Sequence, residues 1–269
     1  MRAVNPQKLK NQKFKDNLAH QRRRHFVLKV AGWAATILAV LAVLGWALFF
    51  SSWFNIRSVT VNGLSADHAA AVQTAVSQQL DKKFLGIPYG RNILFFKDSF
   101  AQVLKNQFGF LDNVSINKNF LHTLIVTGVE RQAAGVWCFN PPAGPCRYFD
   151  WNGNIWGDAI RSSGFLVLNV DDMRSSVATA LDPQFLPVIQ TAVKYFNDHQ
   201  YPIENVTIPV GSFTEFDMTT NGYMIKFSTD SNIAGQLDVF KTFKEQKIDT
   251  GQVQPQYLDL RYDGRVYYK

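Results

Sequence analysis

The side chains that most often do chemistry are sparse and scattered in this 269-residue chain. Five histidines stand at positions 20, 25, 68, 122 and 199, none in a His-x-x-x-His pair, so the sequence suggests no zinc site. It contains neither a Gly-x-Ser-x-Gly nucleophile elbow nor a phosphate-cradling Gly-x-x-x-x-Gly-Lys loop. Adjacent Asp171 and Asp172 have the residue types for acid–base work. Consecutive strand residues point to opposite faces, however, and a solvated loop is the expected home of this pair. Two cysteines are too few for a four-cysteine metal site and lack the Cys-x-x-Cys redox spacing. The chain therefore reads as a non-enzyme that needs no cofactor.

The cysteines have a structural reading instead. Gly135-Val136-Trp137-Cys138 and Cys146-Arg147-Tyr148-Phe149-Asp150 flank an insert holding Pro141, Pro142 and Pro145. Outside the cytoplasm, Cys138 and Cys146 closing such a hairpin are expected to be bonded rather than free. Closing so short a loop stabilises by roughly 2.5 kcal/mol.

Compartment follows from charge and hydropathy. The net charge of +7 is concentrated at one end: residues 1–29 hold nine basic side chains and one acid, Asp16, which leaves residues 30–269 close to neutral. The high pI thus describes a tail, not a nucleic-acid-binding body. Residues 30–50 then run without a charge, with Trp33, Trp46 and Trp53 near the ends. Twenty-one residues at 1.5 Å rise cover roughly 30 Å, the thickness of a bilayer's hydrocarbon core. The basic flank, with Arg22-Arg23-Arg24, should stay cytoplasmic. A cleaved signal peptide would need a shorter apolar region and small residues at its end, whereas Phe49-Phe50-Ser51-Ser52-Trp53-Phe54 follows. A buried core helix is the other alternative. The expected arrangement is a single-pass anchor with the remainder outside.

Beyond the span, Phe54 to Gly63 reads as a short strand ending in an Asn62-Gly63 turn. Ser65 can cap a helix carrying Ala69, Val72, Val76 and Leu80. After a loop with Gly86, Pro88 and Gly90, the segment from Asn92 to Phe95 is expected to be extended. A second helix starts at Asp98 or Ser99 and presents Phe100, Val103, Leu104 and Phe108, and two strands follow near residues 113–117 and 122–129. This order, strand–helix–helix–strand–strand, predicts a small α+β layer.

From Arg131 the texture changes to short aromatic strands. Asp182-Pro183 opens a helix with Leu186, Ile189, Val193 and Phe196. Strands are predicted at Val206-Ile208-Val210 and, after an Asn221-Gly222 turn, at Tyr223-Ile225-Phe227. A helix capped by Asp230 or Ser231 carries Ile233, Leu237, Phe240 and Phe243. The chain closes on Leu258-Asp259-Leu260-Arg261-Tyr262, followed by Gly264, Val266 and Tyr267.

Several of these motifs, in this order, are similar to one family. Residues 54–129 resemble a POTRA domain, and Phe54-Asn55-Ile56-x-x-Val59-x-Val61-x-Gly63 with Asn92-Ile93-Leu94 resembles its form in the FtsQ/DivIB bacterial division proteins. Glu130-Arg131 matches the start of that family's Glu-Arg-x-Pro-x-Ala junction, although Ala133 stands where its proline would be. Asp150-Trp151-Asn152-Gly153 resembles its Asp-x-x-Gly hairpin, and the closing run resembles the motif that ends its β domain.

The resemblance implies an α+β protein with four parts: a basic tail (1–29), a transmembrane helix (30–50), a POTRA domain (54–129), and a mostly antiparallel β domain with helices on one face (130–269). It further implies a divisome scaffold at the septum of a bacterial inner membrane, recruiting FtsL-like and FtsB-like single-span partners, with no nucleic acid or small-molecule substrate. An edge strand near the C-terminus would suit strand addition, with Tyr262, Gly264, Val266 and Tyr267 either contacting the partner or filling the core. Leu258 and Leu260 are expected in the core. Asp259 with Arg261, and Glu130 with Arg131, read as structural ion pairs or cross-strand contacts rather than partner contacts. A membrane-anchored envelope hydrolase and a POTRA-bearing secretion accessory are the competing functions; the first requires a convergent polar pocket.

Overall fold

The computed structural model describes residues 6–83, 90–119, 122–161, 167–174 and 180–269. The expected loop at Gly86 and Pro88 lies outside these residues, as do the first residues of the basic tail. The chain forms two compact units, one of residues 1–62, 66–98 and 116–126, the other of 63–65, 99–115 and 127–269.

Helix α1 (Pro6–Phe50) is continuous. Its stretch Arg23–Leu48, which contains an 18-residue window of mean hydropathy 2.2, is long and apolar enough to cross a membrane. The apolar side chains of that stretch lie exposed around the helix, Trp33 at 72% and Leu38 at 67%, so it is not the core helix of a soluble fold.

A three-stranded sheet has the order β1–β3–β2, from β1 (Ser58–Asn62), β2 (Leu111–Asn119) and β3 (Thr123–Glu130). Helix α2 (Ala66–Leu80) buries Val72, Val76 and Leu80 of the predicted stripe together with Ala75, while the predicted Ala69 is only partly buried. The short α3 (Phe100–Gln107) buries Phe100 and Leu104 but leaves Val103 half exposed. The turn at Gly63 needs glycine, because φ is +81° and a Cβ there would stand 2.2 Å from the Gly128 carbonyl oxygen. The segment Asn92–Phe95 is not extended as expected. Asn92 pairs once with Asn55, then its Oδ1 accepts the Leu94 N–H at 3.0 Å and its carbonyl accepts the N–H groups of Phe95 and Phe96. An asparagine that bonds its own following backbone makes a turn there rather than a strand.

The second sheet has nine strands in the order β12–β11–β10–β9–β8–β7–β4–β5–β6. They are β4 (Gly135–Phe139), β5 (Cys146–Phe149), β6 (Ile155–Trp156), β7 (Leu168–Asp172), β8 (Asn205–Ile208), β9 (Glu215–Thr220), β10 (Tyr223–Ser228), β11 (Tyr257–Asp259) and β12 (Tyr267–Tyr268). Pairing is mostly antiparallel, with parallel neighbours at β4–β7, β7–β8 and β10–β11. Cys138 and Cys146 face each other across β4 and β5 and are bonded.

Two helices, α4 (Leu186–Asp198) and α5 (Ile233–Phe243), supply the rest of the core. Ile189 and Phe196 of α4 and Phe240 of α5 join Val206, Met218, Ile225, Phe227 and Leu258 from alternate strand positions in one buried cluster. The cap of α5 is Asn232, whose Oδ1 accepts the Ala234 N–H, one residue beyond the expected Asp230 or Ser231. In α4 the proline within the first turn is Pro187 rather than Pro183, because residues 182–185 form a turn held by Asp182.

Candidate interaction surface

Strand β12 is the outermost strand of the nine-stranded sheet. Tyr268 and Tyr267 pair with Leu258 and Asp259 of β11, which itself runs parallel to β10. Between β11 and β12 the chain reverses through Gly264, at φ +67°, and the Arg265 N–H bonds the Tyr262 carbonyl at 3.1 Å. Leu258 and Leu260 are buried, as their alternation predicted. Tyr262 and Tyr267 are half exposed and meet edge to face with centroids 5.4 Å apart. Gly264 is exposed, whereas Val266 is partly buried against the core. Gly264 and Val266 also border a groove of about 370 Å³ along α5, floored by Val239 and Phe243. Tyr268 leans on Phe243 at 4.9 Å.

Beneath this border lies an ion cluster. The Arg261 Nε donates to Asp259 Oδ1 at 2.8 Å and Nη2 donates to Oδ2 at 2.6 Å, a two-pronged contact, while Nη1 pairs with Glu215 of β9. Burial alone would raise the Asp259 carboxyl, but the Arg261 hydrogen bonds outweigh it and hold it below the usual carboxylate range. Glu215 carries no sequence signal for this role; it arrives through β9, two strands from β11.

The same face carries a row that crosses the sheet perpendicular to the strands. Register places Cys146, Cys138, Asp171, Thr207, Asp217, Lys226, Asp259 and Tyr267 side by side on successive strands. Lys226 Nζ reaches Asp217 at 3.4 Å.

Glu130 and Arg131 do not pair with each other. Their side chains diverge, as those of strand neighbours do. Glu130 Oε1 accepts the Ser65 backbone N–H at 2.6 Å and the Ser65 hydroxyl at 2.7 Å. The Arg131 guanidinium donates to Asp150 Oδ2 at 2.6 Å, to the Gly109 carbonyl at 3.1 Å and to the Leu111 carbonyl at 3.2 Å, and lies over the Trp156 ring. Asp150 in turn closes the predicted Asp-x-x-Gly hairpin, its Oδ1 accepting the Asn152 and Asn154 N–H groups. Its carboxyl, which burial would raise, is lowered by these bonds, Arg131 first among them.

Asp171 and Asp172 are not in a solvated loop. Both are buried on β7, Asp171 bonded to Arg161 and Asn205, Asp172 to Arg174, which also pairs with Asp182. Arg161 and Asn205 beside Asp171, and Arg174 two residues beyond Asp172, make burial of two adjacent carboxylates tolerable. Of the histidines, His122 Nδ1 meets the Asn55 carbonyl and His199 Nδ1 the Tyr195 carbonyl. Among the described residues no group of three His, Cys, Asp or Glu side chains could hold a metal ion.

These features define a class: a mixed α+β protein with one N-terminal helix able to cross a membrane and an aromatic sheet border at its C-terminus. No family model and no curated protein matches the chain.

Proposed function

We propose that this chain is a bitopic, non-enzymatic scaffold of the FtsQ/DivIB kind, with its basic tail in the cytoplasm of a bacterium and a POTRA domain and β domain outside. In this reading it works at the division septum, where it recruits FtsL-like and FtsB-like single-span proteins. The observation that supports it best is the position of β12 at the limit of the sheet with Tyr262 and Tyr267 exposed beside it. An extended partner segment adding to β12 gains main-chain hydrogen bonds, and the tyrosines select its side chains. Two partners confined to one bilayer have a high effective concentration, so a modest contact suffices for assembly.

The test is capture of single-span proteins from dividing cells by the full chain and by Tyr262→Asp. The substitution should abolish capture and leave the circular dichroism spectrum and melting temperature unchanged. Normal capture by a folded Tyr262→Asp chain would remove the border from the mechanism, and a uniform distribution of tagged chain in dividing cells would remove the septal role.

A further inference from the structure

The motif Asn92-Ile93-Leu94 is part of no surface described above, yet it is fastened to the end of the apolar helix. The last four carbonyls of a helix lack intrahelical partners. One of them, at Leu48, accepts a hydrogen bond from the Asn92 side-chain Nδ2 at 2.7 Å. Asn92 is 2% exposed, so this strut is shielded from water. Two further bonds lock the segment in place: the Ile93 N–H to the Phe54 carbonyl and the Ile56 N–H to the Arg91 carbonyl, both at 2.8 Å.

Around the strut the apolar side chains divide. Ile93 and Phe96 turn inward at 4% and 5% exposure, whereas Leu94 at 49%, Phe95 at 41% and Trp53 at 75% face outward. Arg57 and Lys97, four residues after Trp53 and two after Phe95 in the chain, are also exposed. A hydrocarbon core of about 30 Å takes about 20 helical residues. Counted from the basic cluster that ends at Lys29, it finishes close to Leu48, the residue to which Asn92 is bonded.

We infer that Trp53, Leu94 and Phe95 form a foot that enters the outer-leaflet interface of the same bilayer that α1 crosses. The inference rests on the reading of α1 as a membrane anchor. The occupant of the patch is then the boundary between headgroups and acyl chains, where an indole ring is at home and neighbouring Lys and Arg meet phosphates. With α1 as one attachment and the foot as a second, the first unit would hold a fixed tilt on the membrane rather than swivel on a single helix.

The experiment uses the full chain, disulfide intact, in vesicles of phosphatidylcholine and phosphatidylglycerol in equal amounts. An environment-sensitive nitrobenzoxadiazole label is attached through Leu94→Cys, through Val43→Cys within the span, or through Ala70→Cys near the start of α2. The Leu94→Cys label should emit to the blue of the Ala70→Cys label and lose intensity when the lipids are brominated near the top of the acyl chain. A Leu94→Cys emission equal to that of Ala70→Cys, beside a blue-shifted Val43→Cys label, would leave the anchor standing and overturn the foot. A blue shift insensitive to brominated lipid would mean a protein occupant, and would overturn it too. If the Val43→Cys label also reported water, the anchor would fall and the foot with it.

Discussion

Asp217 and Asp259 stand on either side of Lys226 in one row of the sheet, and their carboxyls shift in opposite directions. Burial raises Asp217, and Lys226 at 3.4 Å does not restore it. Asp259 is buried too, but the two-pronged Arg261 contact lowers it. Two differences set the sign: Asp217 is more heavily desolvated and has Glu215 nearby, and a guanidinium presents two parallel donors to a carboxylate, whereas an ammonium acts as a point charge.

The two carboxylates should therefore respond oppositely to pH. A raised folded-state value means that ionised Asp217 costs stability above the ordinary aspartate range and that the cost fades as pH falls. Asp217→Asn should be neutral or stabilising at pH 7, with the gain lost near pH 3. The lowered value of Asp259 gives stability that is present above the unfolded-state value and is lost as pH drops through the folded-state one. Asp259→Asn should cost about 1–3 kcal/mol at pH 7 and progressively less in acid. Urea unfolding of both variants across this range checks the pair, and parallel pH profiles would contradict the assignment.

Arg131 is the next point of leverage. Its side chain is only 11% exposed and that of Asp150 8%. Removing one partner strands the other charge in a poorly solvated place, at a cost of about 3–5 kcal/mol. Arg131→Ala should lower the melting temperature markedly. Arg131→Lys should recover little, because one ammonium cannot serve the carboxylate and two carbonyls in the guanidinium's geometry. Thermal unfolding of the two variants side by side is the measurement, and full recovery by lysine would show that charge alone matters.

How far these features were legible in the sequence depends on how far their partners lie along the chain. The stripe of α2, the Asn221-Gly222 turn and the core positions Leu258 and Leu260 are local patterns, and each appears where periodicity or turn chemistry put it. Asp259 with Arg261 was legible for the same reason, being two residues apart on one face. Asp171 differs, because Arg161 and Asn205 become its partners only once the strands assemble, whereas Arg174, two residues after Asp172, repeats the spacing of Arg261 after Asp259 and is a local signal that the solvated-loop expectation overlooks. Glu130 and Arg131 look like a pair because they are adjacent, yet Glu130 bonds Ser65 and Arg131 bonds Asp150, in opposite directions along the sequence. Asn92 shows the converse: a strand-like run became a turn because one side-chain amide bonds both its own loop and a helix carbonyl 44 residues away.

The disulfide offers a test independent of charge. Cys138 and Cys146 are separated by eight positions, so the bond closes a short loop on already paired strands. Replacing both by serine should cost about 2–3 kcal/mol, mostly by releasing loop entropy in the unfolded chain. Reductant should destabilise the natural chain by a similar amount and leave the double-serine chain unaffected. A double-serine chain that still responds to reductant would place the effect elsewhere.

The C-terminal border separates backbone conformation from side-chain contact. Gly264 holds a left-handed φ of +67°, and a Cβ built there meets no atom within 4 Å. Gly264→Ala therefore introduces conformational strain without a clash, on the order of 1 kcal/mol confined to the reversal before β12. Global melting should hardly move, while capture of the proposed single-span partners should fall because β12, their proposed docking strand, is displaced. Gly264→Asn adds a larger side chain but tolerates the left-handed region, so it should retain more capture than alanine. Equal loss in both variants would mean that the space above Gly264, rather than the path of the backbone into β12, is what a partner reads.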